Sequence, residues 1–435
     1  MKLSADQLAQ RLASELGAGA IANEASLLAA HAADGKQPGL ICSPDTPEQV
    51  AAVLRVCAEA EAAVVPWGGG TAMRIGNPPR HVDMVMELSR LNRLVEHDDA
   101  NLTATVQAGM NLTDMQMIVA RRKQFLPFDP PHPTRATIGG IVAANLNGPR
   151  RMAYGAVRDL VIGMKVALIT GAQIKVGGKV VKNVAGYDMC KLFVGSLGTL
   201  GIITEVTVRV APIPETVATF AATGALAQTL SFIGALSHSA LLPTSVTILN
   251  AAAANSGNIA NHEFMAGVSC EGFKETVARH LSDLQKLAQQ AGLQSEILKD
   301  DPHRALWSQI QDVPLNSEQL VYRITVPLAS VAELIKTVES WTSAEGSTKM
   351  IADAGTGTVW FGLQPNESAI AWFSRLISLA QQHRGHAVLF SAPPVLKHDL
   401  DVWGPAVPSL KLMRDIKHQF DPRGLLNPGR FVAGL

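Results

Sequence analysis

The residues in this chain best suited to holding a ligand are glycines, and they come in clusters. The longest is Lys182-Asn183-Val184-Ala185-Gly186-Tyr187-Asp188, continuing through Lys191-Leu192-Phe193-Val194-Gly195-Ser196-Leu197-Gly198-Thr199-Leu200-Gly201. Strand-like residues 202–210 follow. Spaced glycines in an apolar, hydroxyl-bearing segment describe backbone that approaches something closely and then enters a sheet, which suits a large bound cofactor. Two earlier clusters repeat the theme: Pro66-Trp67-Gly68-Gly69-Gly70-Thr71, and Ala136-Thr137-Ile138-Gly139-Gly140 after the proline-rich residues 127–133. Backbone N–H groups in such loops can meet a buried diphosphate without intervening side chains, which offsets a large desolvation penalty. Any one loop also reads as a tight surface turn; three together are hard to explain that way.

Other nucleotide motifs fail. Gly68-x-Gly70 is followed by Met73, which breaks the dinucleotide fingerprint, and Gly177-Gly178-Lys179 lacks the earlier glycine and the hydroxyl of a phosphate loop. Cys42, Cys57, Cys190 and Cys270 lie far apart with no Cys-x-x-Cys pair, so no iron–sulfur cluster, zinc knuckle or other metal site is expected. Cys190 reads as a small buried apolar residue and Tyr187 as core packing with a tethered hydroxyl.

Positioning these loops takes a sizeable framework. The 435 residues suit two or three domains, and 47% hydrophobic against 17% charged residues suits buried cores. Lys plus Arg and Asp plus Glu both total 37 with no basic block, so nucleic acid is not expected as a partner. The amino terminus lacks a signal-peptide pattern and no long uncharged apolar segment appears, so a cytoplasmic protein is expected, with peripheral attachment to the inner face of the membrane through a partner left open.

Residues 5–30 read as helical. Thr46 and Pro47 open a helix through Ala60, a buried strand follows at 62–65, and further strands are expected at 84–88 and 102–108. Leu112, Met115, Ile118 and Val119 set a helix over 111–122. Residues 160–181 alternate strand patterns with turns at 170–173 and 177–178. Pro212-Ile213-Pro214 marks a boundary. Beyond it, helices following strands suggest an α+β domain with an antiparallel sheet covered on one side. Expected helices lie at 226–236, 273–291, 328–341 and 368–383, and strands near 217 and at 246–249, 264–269, 320–326, 358–362 and 387–390.

The three loops, with Tyr154-Gly155 and Arg158-Asp159, resemble the FAD-binding domain of the vanillyl-alcohol oxidase type (PCMH-type) of flavoprotein. Phe128-Asp129-Pro130-Pro131-His132, Gly148-Pro149-Arg150-Arg151, Asp401-Val402-Trp403-Gly404 and Asp421-Pro422-Arg423-Gly424-Leu425-Leu426-Asn427-Pro428-Gly429-Arg430 narrow this to a resemblance to the E-type FAD-binding subunits of glycolate dehydrogenases (glycolate oxidases). The resemblance implies a two-subdomain FAD domain at 1–213, a cap domain at 214–395 and a segment at 396–435 returning to the FAD domain. It implies that the first two loops hold the FAD pyrophosphate and that residues 198–203 run beside the adenine and ribose. The cofactor-binding set is Pro66, Trp67, Gly68, Gly69, Gly70, Thr71, Pro130, Pro131, His132, Ala136, Thr137, Gly139, Gly140, Ala143, Arg150, Tyr154, Gly155, Arg158, Asp159, Gly198, Gly201 and Ile203. Thr71 or Ala72 stands where some members carry the histidine of a covalent flavin link, which implies non-covalent FAD.

Catalytic relatives supply metal ligands and a base from His-x-Gly-Asp-Gly-Asn-x-His and Glu-His-Gly segments. Here the matching stretches are Ala352-Asp353-Ala354-Gly355-Thr356-Gly357-Thr358 and Ser391-Ala392-Pro393-Pro394-Val395-Leu396, without histidine. His132, Lys397 and His398 are weak catalytic candidates. His132 sits before the second loop, where it either touches the isoalloxazine or satisfies a carbonyl. Asp353, Lys397 and His398 read more simply as solvated loop residues. Arg150, Arg151 and Arg158 suit either an anionic flavin or surface ion pairs, and Trp67 and Trp403 suit packing. The expectation is a flavin-holding subunit that oxidises glycolate together with a second, catalytic FAD-binding subunit and an iron–sulfur subunit. The alternatives are a self-sufficient D-2-hydroxy-acid (D-lactate) dehydrogenase and a structural subunit with an empty flavin cleft.

Overall fold

The computed structural model describes residues 3–178, 187–254, 264–312, 320–342, 348–364, 369–398 and 400–435. Residues 182–186 of the first glycine-bearing stretch lie outside these. The chain forms two compact units, one of Met1–Asn147, Ala156–Pro212 and Pro394–Leu435, the other of Gly148–Gly155 and Ile213–Pro393.

The first unit holds two main sheets. Strands β1 (Ile21–Ala22), β2 (Leu40–Cys42), β3 (Val64–Trp67) and β4 (Met84–Glu87) make a four-stranded sheet in the order β1-β2-β4-β3, with β4 parallel to β2 and β3. Strands β5 (Leu94–Asp98) and β6 (Thr103–Gln107) belong to the other main sheet, while β7 (Gln124–Phe125) lies apart. With β8 (Val161–Ala167), β9 (Gln173–Gly177) and β10 (Ile202–Arg209) they form an antiparallel sheet in the order β5-β6-β10-β8-β9. β11 (Ala211–Pro212) pairs with β7.

Helix Pro47–Ala60 links β2 to β3. Thr46 Oγ1 accepts from Gln49 N at 3.2 Å and Pro47 opens the first turn, so the entry is capped without wasting an amide. Its buried Val50, Val53, Leu54 and Cys57 pack with Leu8 and Leu12 of helix Ala5–Leu16 and with Val64 and Met84 in one core. The helical reading of 5–30 needs correction. Gly17, at φ 89°, ends the first helix, and β1 intervenes before helix Ala25–Ala30. β5 escaped the sequence reading because its burial pattern is largely exposed, with no apolar alternation to mark it. Gly177 is the last residue of β9, paired with Gly163, and not a turn. The turn that joins β8 to β9 closes with Gly171 N donating to Leu168 O at 2.9 Å.

In the second unit, β12 (Thr216–Gly224), β13 (Ser245–Asn250), β14 (Phe264–Gly272), β15 (Gln294–Leu298), β16 (Leu320–Thr325), β17 (Lys349–Asp353), β18 (Thr358–Leu363) and β19 (His386–Ser391) form one sheet. Their order is β15-β12-β14-β13-β17-β18-β16-β19, antiparallel throughout. Successive side chains alternate between faces. One face carries Ala218, Phe220, Val246, Ile248, Ala266 and Val268, packed with Phe232 and Leu236 of helix Leu226–Ser237 and Leu281 and Leu284 of helix Lys274–Gln290. The other carries Thr219, Thr247, Asp353 and Thr358, and helix Asp300–Asp312 packs there through His303 and Trp307. The one-sided cover expected from sequence therefore becomes an apolar face and a polar one. β15, β17 and helix Asp300–Asp312 were absent from the sequence reading. The whole chain is α+β.

Candidate functional site

Three segments of the first unit converge on one cavity. β3 brings Pro66 and Trp67 to its wall and runs on into Gly68, Gly69, Gly70 and Thr71. Helix Ile138–Ala144 and its cap contribute Thr137, Gly139, Gly140 and Ala143, and the loop into β10 contributes Gly198, Gly201 and Ile203. The convergence depends on missing side chains. A Cβ on Gly69 would collide with the Arg135 carbonyl, and one on Gly139 would meet the Ala108 Cβ at 2.6 Å, closer than real Cβ contacts come. Gly198, at φ +71°, presses its backbone onto Pro66, so the first and third loops meet there.

The loops differ in what they offer a ligand. Thr137 Oγ1 accepts from Gly140 N at 3.3 Å, and Gly139 N donates to Ala108 O at 2.7 Å, so the second loop spends these amides on itself. The amides of Gly69, Gly70 and Thr71 have no acceptor among the described residues. An anion is the natural partner for three adjacent free donors.

Asn427 and Arg430 also line the cavity, and neither was among the residues singled out as binding candidates. Asn427 ties two segments together: its N–H donates to Val64 O at 2.8 Å and its Nδ2 to Leu197 O at 2.7 Å. Arg430 is 2% exposed, and its Nη2 donates to Met73 O and Ile75 O at 2.7 Å each. Asn427 Oδ1 and Arg430 Nε stay buried without hydrogen-bond partners, while Arg430 Nη1 has no hydrogen bond but faces Asp34. Buried polar atoms in native proteins are almost always satisfied, so Asn427 Oδ1 and Arg430 Nε, on residues that line the cavity, are candidates for contact with a ligand. Their only signal in the sequence was the Asn-Pro-Gly-Arg ending itself.

Behind Arg430 lies a charged cluster of full burial. Lys397 Nζ donates to Asp34 Oδ2 at 2.8 Å and also to the carbonyls of Arg74 and Gly76, while Arg430 Nη1 lies 3.8 Å from the same carboxylate oxygen. Burial pulls the Lys397 ammonium below its usual range, against the opposing pull of Asp34. Two cations against one carboxylate leave a positive excess at the cavity wall. Lys397 is thus no solvated loop residue, whereas His398 is exposed. Asp353 is also buried, at the end of β17, accepting from Thr247 Oγ1 at 3.2 Å.

The remaining candidates lie elsewhere. Pro130 and Pro131 are buried behind the second loop. His132, at φ 52°, has its carbonyl accepting from Arg135 N and Ala136 N at 3.0 Å, and Ala136 O accepts from Leu112 N at 2.9 Å. These residues shape the loop without lining the cavity. Arg158 and Asp159 are exposed on helix Val157–Leu160, where Asp159 Oδ2 accepts from Ala156 N at 3.0 Å and caps its own helix. Tyr187 is 92% exposed, which corrects the core-packing expectation. Trp403 packs against Phe431, and its Nε1 donates to Arg430 O at 3.0 Å.

Arg150, Tyr154 and Gly155 belong to the second unit. The Tyr154 hydroxyl donates to Glu271 Oε2 at 2.7 Å and Arg150 Nη2 lies 3.4 Å from Glu271 Oε1. Burial first, then Glu271, raise the Tyr154 pKa, so this phenol stays protonated. Nearby, Thr219 Oγ1 accepts from Trp307 Nε1 at 2.8 Å and sits 2.7 Å from His303 Nδ1. The Thr219 hydrogen is free to donate to a neutral imidazole, and burial followed by Arg150 pulls His303 down to about 4.

Comparison with known proteins bears on both units. The family "FAD binding domain" matches residues 38–177, and "FAD linked oxidases, C-terminal domain" matches 406–431. The chain is 31% identical over 429 residues to the glycolate oxidase subunit GlcD of Bacillus subtilis (strain 168), covering 91% of this chain and 89% of that one. It is 29% identical over 352 residues to the glycolate oxidase subunit GlcE of Escherichia coli (strain K12), covering 79% and 85%. Its fold matches a crystal structure of p-cresol methylhydroxylase with substrate bound, with a TM-score of 0.78 over 98% of this chain and 96% of that one at 16% identity. No described helix is long and apolar enough to cross a membrane.

Proposed function

The chain belongs to the FAD-binding, FAD-linked oxidase family that includes subunits of glycolate oxidase, and from that footing we propose that it is the flavin-holding subunit of a multi-subunit glycolate dehydrogenase. The observation that carries this reading is the pairing of a glycine-walled cavity with a turn at 353–358 that has no histidine. Asp353 at the head of that turn is committed to Thr247, and the Thr356 carbonyl to Arg151.

When bound, FAD accepts the two electrons lost as a 2-hydroxy acid becomes a 2-oxo acid. The free amides of Gly69, Gly70 and Thr71 take the diphosphate. Gly198, Gly201 and Ile203 form the wall beside the adenosine half, and Asn427 and Arg430 supply the unspent acceptor and donors. Thr71 or Ala72 stands where a linking histidine would be, so the FAD is held non-covalently. His132 serves as a backbone anchor for the second loop. A second FAD-binding subunit provides the acid–base histidines that stretches 352–358 and 391–396 do not carry, and an iron–sulfur subunit carries the electrons onward. The assembly is cytoplasmic, with peripheral attachment to the membrane through a partner.

Purification of the chain, alone and co-expressed with a catalytic subunit and an iron–sulfur subunit, tests this. The expected protein is yellow, releases FAD on acid precipitation and oxidises glycolate with an artificial acceptor only in the complex. A colourless chain that takes up no added FAD overturns the reading in favour of an empty cleft. Robust turnover of D-lactate or glycolate by the isolated chain overturns it in favour of a self-sufficient 2-hydroxy-acid dehydrogenase.

A further inference from the structure

Residues 68–77 form only turns and bends, so once the chain leaves β3 no helix or sheet ladder fixes the first glycine loop or its exit. The carboxy-terminal segment does so instead. Four consecutive carbonyls, those of Met73, Arg74, Ile75 and Gly76, are each taken by a buried cation. Arg430 Nη2 donates to Met73 O and Ile75 O at 2.7 Å each, while Lys397 Nζ donates to Arg74 O and, at 3.3 Å, to Gly76 O. The two cations thus alternate along the exit of the loop. Arg430 O closes the far end by accepting from Asn77 N at 3.1 Å, and it fits there because Gly76, at φ +86°, has no Cβ to meet it at 2.5 Å.

Lys397 differs from Arg430 in not lining the cavity. An ammonium has three donors, and Asp34 Oδ2, Arg74 O and Gly76 O supply three acceptors around a side chain that solvent does not reach. No donor is left for a ligand, so Lys397 acts only on the chain that meets one. Arg74 follows Thr71 by three residues, and the amides of Gly69, Gly70 and Thr71 have no acceptor among the described residues. Adjacent amides aimed at one anion bind it well when their backbone is ordered beforehand, because ordering left to the moment of binding is subtracted from affinity. Without the ammonium, two buried carbonyls lose their donor, and residues 72–77 must shift to find others.

We propose that Lys397 is a positioning residue for the cofactor. By holding the carbonyls of Arg74 and Gly76 it presets the Gly69, Gly70 and Thr71 amides for a diphosphate, and so gives the cavity its preference for a diphosphate over a monophosphate. The diphosphate's place on this loop rests on the flavin reading above.

The test is calorimetric titration of the full flavin-free chain with ADP and with AMP, which share the adenosine and differ in the second phosphate, followed by fluorescence titration with FAD. The wild type is expected to prefer ADP. Lys397→Met should lower that preference and the FAD affinity by about tenfold or more, while AMP affinity stays nearly the same. Lys397→Gln, which keeps a shorter neutral donor, should lose less and remains informative where Lys397→Met does not fold, as melting temperature reports. Leu12→Ala, in the core behind helix Pro47–Ala60, is the control: it should lower the melting temperature and leave the ratio of ADP to AMP affinity unchanged. An unchanged ratio in a folded Lys397 variant, an equal loss of AMP and ADP affinity, or the same drop in ratio for Leu12→Ala overturns the proposal while the diphosphate placement stands. A wild type that binds AMP as tightly as ADP overturns the placement itself, and the proposal with it.

Discussion

Lys397 Nζ donates to Asp34 Oδ2 at 2.8 Å across 363 residues of sequence, and neither side chain reaches solvent. The pair joins the carboxy-terminal segment to the turn before β2, and the same carboxylate steadies Arg430 at the cavity wall. Removing one member of such a pair strands a buried charge, which typically costs about 3–5 kcal/mol. Lys397→Met and Asp34→Asn should each lower the urea midpoint sharply. The double variant should cost less than the sum, because neither charge is then left alone. Equal, additive losses would show that the pair is uncoupled.

Arg430→Met should weaken FAD binding at least tenfold, and Arg430→Lys should recover part of it. The basis is the excess positive charge and the orphaned Nε of a residue that lines the cavity. Fluorescence titration of the flavin-free chain with FAD measures this directly. Affinity unchanged in a folded Arg430→Met variant would contradict the assignment.

Gly139→Val should abolish the flavin site, since even a single Cβ there would press against Ala108 at 2.6 Å. Gly178→Ala is the control, because nothing lies within 4 Å of its added Cβ. The ratio of flavin to protein absorbance after purification should fall to background in the first and stay normal in the second.

His303 sets an acid limit on stability. Its folded pKa is about 4 against an ordinary 6.5, so between those values the unfolded chain binds more protons and stability falls as pH drops from 6.5 towards 4. Melting temperature followed over that window should decline, and His303→Gln should flatten the decline. An unchanged slope in the variant would place the acid sensitivity elsewhere.

The four cysteines should be inert in the folded chain. All are buried, and desolvation pushes the thiols of Cys42 and Cys270 up to about 12 and that of Cys190 to about 11, with Cys57 raised as well. Reaction with a chromogenic disulfide at pH 8 should be slow until denaturant is added. Rapid labelling of any one of them would show that its surroundings open.

The sequence alone determined the local pieces, because their causes are local. Thr46-Pro47 favours a helix start by capping and by its fixed φ, alternating apolar residues make strands such as 202–210, and glycines leave room where side chains would collide. It also located most of the cavity wall, since the three loops advertise themselves by composition. The tertiary structure decided what depends on distant partners. It spent the Gly139 amide on Ala108 and left those of Gly69, Gly70 and Thr71 free. It buried Lys397 against Asp34, brought Asn427 and Arg430 to the cavity, and divided the second sheet into an apolar face and a polar one. No residue type announces these outcomes, because burial and pairing are properties of neighbours tens to hundreds of positions away.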